Sequence, residues 1–477
     1  MLTFLMGLLI LCLGYVFYSK YVVRQVEPSE TPTPAHTLCD NIDYIPMGIK
    51  RNSLIHLLNI AGIGPLMGAV QGILFGPVAF LIIPIGCVFM GAVHDYMAGM
   101  ISVRNEGEQI TSLIKKYLGN SLYWLFVLVS SVVLILVAVV FVYTSGDILA
   151  EKMFNVTDFS LNNPVIITIY AVIIGYYVLA SLFPIDKIIG KVYPIFGVLL
   201  IVGTLLILGG FLTNGVTLQN IDFKNINVHP AHLAIIPMFF VTVSCGMLSG
   251  FHSTQATIIS RTLNNEKDGK IVFYGMMCVE CLIAMIWAAG AMHVYSNNLV
   301  PADFVGKANV INVITDTFLP HYLTFLVTAA IIVLPITSGD TALRGLRLVV
   351  AEILGWKKCT YKHCLQIIIP ILFILVGVLA FAKTNNEAFF LVWRYFTFAN
   401  SSIASIVFLF STIYLYQRGK NYLITLLPGI VSLFVCFCFI LNAKIGFNLS
   451  LTNSKIGAAI LCLLAVMWLR AGMKKLN

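Results

Sequence analysis

Charged residues are scarce in this chain. Aspartate, glutamate, lysine and arginine make up only 10% of its 477 residues, whereas hydrophobic residues make up 59%, and the mean hydropathy is +0.94. Soluble domains of ordinary composition carry about 25% charged residues. The composition therefore excludes a soluble globular protein and favours a chain whose surface lies largely in lipid.

Long polar segments are also absent. The largest polar stretches are residues 23–52, 214–230, 256–269 and 296–319, and each is too short to bury a hydrophobic core of its own. We therefore expect a single integral membrane domain over residues 1–477. A membrane nutrient sensor, an alternative from another class, is expected to carry a signalling domain, and no stretch here is long enough for one.

Sequence motifs of common enzymes are missing as well. The chain has no Walker A motif, no catalytic-triad spacing and no HExxH motif. An intramembrane hydrolase would have to combine His252 with Asp95 or Glu280, a set that the spacing does not require. Cys278 and Cys281 have CxxC spacing without a second pair, and we interpret them as small membrane-compatible side chains rather than a metal or redox site. We expect no enzyme, and no cofactor beyond a coupling ion.

What the chain does contain is a series of long apolar runs. A helix needs about 17–25 apolar residues to cross the hydrocarbon core, and such runs recur from one end of the sequence to the other. The pattern predicts an all-α polytopic membrane protein with about 13 transmembrane helices. The predicted spans are 2–22, 53–74, 77–101, 121–149, 164–183, 190–213, 231–255, 270–295, 320–342, 364–382, 389–415, 421–441 and 454–470.

The basic residues give the expected orientation. Most of the 29 lysines and arginines fall in alternate loops, and such loops lie on the cytosolic side of a membrane protein. The bias predicts an outside N-terminus and a cytosolic C-terminus, and it explains the net charge of +9 without a nucleic-acid partner. The run at 2–22 lacks a basic start and a cleavage site, so we expect a retained helix rather than a signal peptide.

Three of the apolar runs contain helix-breaking residues. The second span contains NIAGIGPLMG, in which Gly62, Gly64 and Pro65 weaken the helix. The seventh contains SCGMLSGFHSTQ, with Gly246 and Gly250, and the ninth contains LPITSGDTALR. A helix can be interrupted at membrane depth only where protein or a water-filled cavity satisfies the polar groups of its backbone. Paired breaks of this kind point to a transport site between inverted repeats.

The topology divides the spans into two predicted repeats. The second and seventh spans cross the membrane in opposite directions, and a repeat with an odd number of spans necessarily inverts. We therefore expect a five-plus-five inverted-repeat core, with repeats at 53–213 and 231–415. The first helix and cytosolic loop, at 1–52, and the C-terminal helices, at 421–477, would be peripheral.

Four titratable residues, Asp95, His252, Glu280 and Asp340, are predicted to cluster in the inner half of the membrane, and the first three share a similar depth. Asp95 and His252 are each nine residues from an arginine at the inner edge, and Glu280 is ten residues from a lysine, which corresponds to about 13–15 Å. Intramembrane charges are costly and usually functional, so a coupling-ion pathway through Asp95 and Glu280 is one interpretation. Each residue also has a structural alternative. Asp95 could form a purely structural pair with His94, and His252 could be a core histidine whose ring nitrogens are hydrogen-bonded. Glu280 could be protonated and donate a hydrogen bond to a neighbouring helix.

Asp340 lies nearer the inner edge, beside three hydroxyl side chains. Together with Thr337, Ser338 and Thr341 it would suit proton capture or Na⁺ coordination, with Thr337, Ser338 and Asp340 as the candidate Na⁺ ligands. No other metal site is predicted. The alternative is a helix-surface ion pair, because Asp340 and Arg344 have i,i+4 spacing.

Four further polar side chains inside predicted spans complete the candidates. Arg394 lies about two turns inside the outer end of its span, where it would either extend to the interface or meet a substrate carboxylate. Thr254 and Gln255 follow the seventh-span break and are candidates to line a substrate site. His56, near the inner end of the second span, has packing at the interface as its structural alternative.

Several of these motifs resemble one known family. The segments NIAGIGPLMGAVQGILFGPVAFL, GAVHDYMAGMISVRNEG, SCGMLSGFHSTQ and PITSGDTALRGLRLVVAE follow the order typical of the carbon starvation protein A (CstA) family, and the resemblance covers about residues 30–355. It implies a bacterial inner-membrane protein that takes up peptides under carbon limitation or, in some members, pyruvate with protons. It also implies kinship with the amino acid–polyamine–organocation superfamily, whose core is a five-plus-five inverted repeat.

The resemblance implies roles for the candidate residues. The breaks at 61–65 and 244–250 would flank the substrate. The expected function is a secondary active transporter for short peptides, driven by H⁺ or Na⁺, and the alternative is a proton-coupled pyruvate or small-carboxylate symporter. The expected partners are a small-molecule or peptide substrate and the lipid bilayer. The substrate-side candidates are Gly62, Gly64, Pro65, Gly246, Gly250, His252, Thr254, Gln255 and Arg394, and the coupling candidates are Asp95, Glu280, Thr337, Ser338, Asp340 and Thr341.

Overall fold

The chain folds into a bundle of α-helices. The computed structural model describes residues 1–40, 44–182, 186–213, 216, 218–354 and 361–474. No β-strand occurs among these residues, which confirms the all-α prediction. Residues 41–43 of the predicted cytosolic loop lie outside the described residues.

The main helices follow one another along the whole chain. They are α1 Leu2–Val26, α2 Ile49–Ile60, α3 Ile63–Phe75, α4 Ala79–Val103, α5 Ile110–Leu118, α6 Asn120–Phe154, α7 Pro164–Leu182, α8 Asp186–Thr213, α9 Phe240–Met247, α10 Gly250–Ser260, α11 Met276–Ser296, α12 Val310–Phe318, α13 His321–Ile353, α14 Tyr361–Ala382, α15 Asn386–Gln417, α16 Leu423–Asn442 and α17 Leu451–Lys474. Short helical turns lie at Pro34–Thr37, Glu266–Asp268 and Ala302–Val305, and wide π-type turns at Gly14–Tyr18, Cys87–Gly91, Ile235–Phe239 and Lys270–Gly275.

The number of membrane-spanning elements agrees with a multi-pass protein. Among the described residues, eleven helical stretches are long and apolar enough to cross a membrane, and the bent pair α2–α3 makes a twelfth. The remaining predicted span, 190–213, corresponds to α8, whose described apolar part is the shorter helix Ile195–Phe211. The multi-pass architecture is confirmed, while the count of about 13 spans stays a prediction.

Two of the three predicted breaks are present. Helices α2 and α3 meet at an angle of 56°, at residues 61–62, where the backbone leaves the helical conformation. Helices α9 and α10 are separated by Leu248 and Ser249, which are both extended. Because Gly246 remains inside α9 and Gly250 begins α10, the predicted break narrows to the two residues between these helices.

The third predicted break is wrong. Helix α13 is continuous over 33 residues, with Pro335 inside it. The hydroxyls of Thr337 and Ser338 donate hydrogen bonds of 2.9 Å and 3.0 Å to Leu334 O in the preceding turn. Membrane helices accommodate a proline when Ser and Thr side chains or neighbouring helices supply the missing polar contacts, so a single proline was too weak a signal for a break.

The two broken spans lie side by side inside the bundle. Helix α3 packs against α9 and α11, while α10 packs against α2, α4 and α15. The backbone breaks of both spans are therefore surrounded by protein rather than by lipid. The division into repeats at 53–213 and 231–415, with 1–52 and 421–477 at the periphery, stays a prediction.

Candidate functional site

Small residues allow the two broken spans to approach closely. A Cβ atom on Gly246 would lie 3.1 Å from Pro65 O, and one on Gly72 would lie 2.5 Å from Val243 Cγ1. A Cβ atom on Gly64 would make an ordinary contact, 3.5 Å from Cys245 Cβ. Residues 61–70 and 241–250 are all buried. The structure thus brings Gly64 and Gly246 of the two broken spans close together and buries all the predicted substrate-side glycines.

The seventh-span break is held by a residue that sequence reasoning missed. Asn400 in α15 accepts a hydrogen bond of 2.8 Å from Phe251 N and donates one of 3.0 Å to Ser249 Oγ. Its side chain is fully buried. In the sequence it lies in the segment FANSSIAS of a predicted span, where an asparagine signals a buried polar group but does not identify its partner. Asn400 therefore satisfies backbone that the break leaves without helical partners.

Four of the titratable side chains form a continuous buried line, which we call the histidine–carboxylate chain: His94, Asp95, His252 and Glu280. The Nδ1 atoms of His94 and His252 lie 2.8 Å and 3.2 Å from the two carboxylate oxygens of Asp95. On the other side of the same ring, His252 Nε2 lies 3.5 Å from Glu280 Oε1. The exposed fractions of these side chains are 0–2%. The predicted convergence of Asp95, His252 and Glu280 is present in the structure.

Local helix geometry delivers these side chains to one place. The wide turn Cys87–Gly91 precedes Asp95 in α4, and the wide turn Lys270–Gly275 precedes Glu280 in α11. Such turns are frequent at functional sites because they rotate the side chains that follow. His252 lies in the first turn of α10, directly after the break, and its N–H donates to Ser249 O at 3.2 Å.

Several buried polar atoms in and beside the histidine–carboxylate chain lack a hydrogen-bond partner within the described residues. Within the described part of the protein, both carboxyl oxygens of Glu280, Nε2 of His94 and both ring nitrogens of His56 are buried without a hydrogen bond. His56 packs edge-on against the ring of Phe273, with 5.4 Å between ring centroids. A buried polar atom without a partner is rare in a folded protein, so this region has unused capacity to bind or exchange protons.

The predicted site at Asp340 lies apart from the histidine–carboxylate chain and has its own contacts. Asp340 Oδ2 accepts a hydrogen bond of 2.5 Å from Tyr176 of α7, and Oδ1 accepts one of 3.0 Å from Thr341. Arg344 donates a hydrogen bond of 2.9 Å to Ala180 O in the same helix α7. These contacts place Asp340 at the α7–α13 contact, whereas the histidine–carboxylate chain joins α4, α10 and α11.

The remaining substrate-side candidates are divided between two places. Thr254 Oγ1 donates to Phe251 O at 2.7 Å, and Gln255 Nε2 donates to Thr254 Oγ1 at 3.3 Å, so both follow the break within α10. Arg394 instead lines a cavity of about 700 Å³ together with Glu387 and residues of α16. The structure does not bring Arg394 into the contacts of the break.

The family model described as carbon starvation protein CstA matches residues 1–169 and 127–317. The chain belongs to the CstA family. Curated relatives of this chain are named transporters.

Individual relatives differ in how much of their length is matched. An uncharacterized membrane protein of Haemophilus influenzae is 34% identical over 342 residues, which cover 62% of this chain and 92% of that protein. Peptide transporter CstA of Bacillus subtilis is 27% identical over 349 residues, covering 62% and 58% of the two chains. Pyruvate/proton symporter BtsT of Escherichia coli is 25% identical over 346 residues, covering 57% and 46%. The chain thus spans about half the length of these two named transporters.

A solved structure supports the architecture. The fold is similar to that of a manganese transporter of Eremococcus coleocola, with a TM-score of 0.54 over 91% of this chain and 98% of the transporter. The two sequences are 12% identical, so the likeness concerns the fold alone.

Proposed function

We propose that this CstA family member is a secondary active transporter that takes up short peptides, driven by an inward gradient of H⁺ or Na⁺. The observation that carries the proposal is the pair of discontinuous membrane helices, α2–α3 and α9–α10, which pack against each other with both breaks enclosed. Paired discontinuous helices are typical of secondary transporters, in which substrate and coupling-ion sites lie at the breaks.

The chemistry at the breaks suits a substrate with a carboxylate. Helices α3 and α10 begin at the breaks, with Ile63 and Gly250 as their first residues, and the N-terminus of a helix carries a partial positive charge. A peptide presents a terminal carboxylate, and the relative from Bacillus subtilis is named a peptide transporter. We therefore place the carboxyl end of the substrate between Gly62–Pro65 and Gly246–Gly250.

A pyruvate or small-carboxylate symporter is the second candidate. The same helix N-termini would accept a free carboxylate, and the relative from Escherichia coli is named a pyruvate/proton symporter. The two candidates share the site and differ in whether an amino group and peptide bond must also be accommodated.

The proposed transport cycle places the coupling ion beside the break. The side chains of Asp95, His252 and Glu280 lie next to the start of α10. Binding of the coupling ion to them would therefore favour one arrangement of the broken helices over another. A Na⁺ ion at Thr337, Ser338 and Asp340 is the alternative coupling site, although α13 is continuous there. The orientation in the bacterial inner membrane, with the N-terminus outside and the C-terminus in the cytosol, belongs to the same proposal.

Uptake by the purified full chain in lipid vesicles tests this function. Labelled dialanine and labelled pyruvate are supplied separately, each with an inward H⁺ gradient, an inward Na⁺ gradient or no gradient. We expect accumulation above equilibrium for one substrate class, only with a gradient, and its collapse when an ionophore dissipates that gradient. Equilibration that ignores the gradients, or no uptake of either substrate, would contradict secondary active transport.

A matched variant pair links the activity to the buried carboxylate. Asp95→Asn removes the charge that both imidazoles contact, and we expect it to abolish gradient-driven accumulation. Asp222→Asn makes the same change at an exposed residue outside the spans and should transport like the unmodified protein. Equal activity of the two variants would remove Asp95 from the mechanism.

A further inference from the structure

The histidine–carboxylate chain has the geometry of a proton relay. We infer that the coupling ion is a proton and that Asp95, His252 and Glu280 carry it, with the His252 imidazole passing it between the two carboxyl groups. The inference rests on the proposed transport function and specifies the ion and the residues of that same site.

The first argument is the placement of the His252 ring. Its Nδ1 lies 3.2 Å from Asp95 Oδ2 and its Nε2 lies 3.5 Å from Glu280 Oε1. Imidazole can accept a proton on one ring nitrogen and release another from the opposite nitrogen, which suits it to proton shuttling. This ring lies between two carboxyl groups on different helices.

The second argument is the unequal surroundings of the two carboxyl groups. Asp95 has an imidazole nitrogen beside each oxygen, so its ionised form is stabilised. Glu280 is fully buried, and within the described residues neither of its oxygens has a hydrogen-bond partner. An isolated ionised carboxylate inside a membrane protein is costly. Glu280 therefore carries a proton in this arrangement, and Asp95 does not.

These protonation states define one balanced transfer. The Glu280 carboxyl group donates its proton to Nε2 of neutral His252, while the Nδ1 proton of His252 passes to Asp95 Oδ2. Afterwards Glu280 is a carboxylate, Asp95 is a carboxylic acid, and His252 is again neutral with its proton on the other nitrogen. The separation of 3.5 Å between Nε2 and Oε1 is just beyond a good hydrogen bond, so the relay requires a small closing movement at that link.

The surrounding groups favour a proton over a metal cation. Hard cations such as Na⁺ prefer shells of oxygen ligands, whereas both oxygens of Asp95 already face imidazole nitrogens. Among the described residues, no group of three or more His, Cys, Asp or Glu side chains has the geometry to hold a metal ion. In the described part of the chain, the other titratable groups that interact electrostatically with the relay are His56 of α2, Cys245 of α9 and Cys281 of α11.

The relay is also connected to the part of the backbone that must move. His252 lies two residues after Gly250 and donates its backbone N–H to Ser249 in the break. On the other helix, a Cβ atom on Gly91 would lie 2.3 Å from Met247 O, so α4 touches the end of α9 directly. Moving a proton from Glu280 to Asp95 shifts negative charge from Asp95, at the α4–α10 contact, to Glu280 on α11, which changes the forces on the break.

Glu280→Gln separates proton coupling from substrate handling. Glutamine mimics the protonated glutamic acid, so the variant should still exchange substrate across vesicles at equal concentrations without a gradient. We expect it to lose H⁺-driven accumulation to the level of protein-free vesicles, together with substrate-induced H⁺ entry measured with an internal pH dye. His252→Gln should behave similarly, Glu280→Asp should regain part of the coupling, and His321→Gln, at an exposed histidine, should match the unmodified protein.

The outcomes distinguish this inference from the proposed function. If the unmodified protein exchanges substrate but Glu280→Gln still accumulates it with H⁺ entry, or if a Na⁺ gradient alone drives uptake, the relay is wrong while transport stands. If the unmodified protein neither exchanges nor accumulates any substrate, the proposed function fails. Infrared difference spectra then test the relay independently, because the C=O stretch of a buried carboxylic acid must be present in the unmodified protein and absent in Glu280→Gln. No spectral difference would overturn the protonated state of Glu280.

Discussion

At the scale of single residues, the seventh-span break depends on close contact between helices. Gly250 begins α10 against α15, and a Cβ atom there would lie 2.3 Å from Asn400 O and 2.5 Å from Ile403 Cβ. Its φ angle is not positive, so the backbone conformation alone would accept another residue. The glycine is required by the approach of α15, which also supplies the Asn400 amide that binds the break.

Gly250→Ala should therefore destabilise the protein more than an equivalent change at the other break. Overpacking against backbone costs about 1–3 kcal/mol, which exceeds the helix-propensity gain of at most about 1 kcal/mol. Gly62→Ala is the matched control, since a Cβ atom there would meet only Phe141 Cζ at 3.8 Å. Thermal unfolding in detergent measures both variants. A melting temperature for Gly250→Ala equal to that of Gly62→Ala would contradict the contact argument.

At the scale of helices, a buried ion pair joins α6 to the segment between α14 and α15. Lys383 Nζ lies 2.8 Å from both carboxylate oxygens of Asp147, and the two side chains are 3% and 5% exposed. Tyr170 of α7 donates a hydrogen bond of 2.5 Å to the same carboxylate. The ammonium also lies 4.3 Å from the centre of the Tyr143 ring, which adds a cation–π contact. This cluster connects α6, α7 and the segment between α14 and α15 at the end of α6 that is distant from α5.

Lys383→Met tests how much that connection contributes to stability. Removing one partner of a buried pair leaves an uncompensated charge and costs about 3–5 kcal/mol, so we expect a large fall in melting temperature. The double variant Asp147→Asn with Lys383→Met should recover most of it, because no buried charge then remains. Lys152→Met is the surface control, since Lys152 pairs with Asp316, which is 54% exposed, and such pairs contribute about 0–1 kcal/mol. An equal fall in melting temperature for Lys383→Met and Lys152→Met would contradict the argument that burial makes the Asp147–Lys383 pair important.

The sequence predicts helices and two of the breaks because their causes are local. Clusters of glycine and proline weaken a helix wherever they occur, and depth counted from basic loop residues correctly placed Asp95 near His252. Pro335 was misinterpreted because the hydroxyls of Thr337 and Ser338 bond back to Leu334 O and α13 stays continuous. Asn400 and Lys383 were missed because their partners, at the break and at Asp147, are distant in the sequence.

At the scale of the whole molecule, the segment after α1 ties together the ends of the helices that carry the relay. We call residues 27–37 the N-terminal strap. Glu266, beyond the end of α10, accepts a hydrogen bond of 2.7 Å from Ser29 N in the strap and one of 2.9 Å from Arg104 at the end of α4. The strap hydroxyl of Thr33 donates to Leu263 O at 2.5 Å. Separation of α4 from α10 on this side would have to break these contacts.

Glu266→Ala should therefore loosen the strap and the ends of both helices together. The carboxylate, 5% exposed, accepts from Arg104 and from the strap backbone, and hydrogen bonds to charged groups are worth about 1.5–3 kcal/mol each. We expect faster amide hydrogen exchange over 27–37 and 262–266, measured by mass spectrometry. Glu30→Ala is the matched control in the same strap, because Glu30 is 79% exposed and its ion pair with Lys267 lies at the surface. Faster exchange in both variants would show that the strap responds to any lost charge. Faster exchange in Glu266→Ala alone would identify this carboxylate as the point at which α4 and α10 are held together.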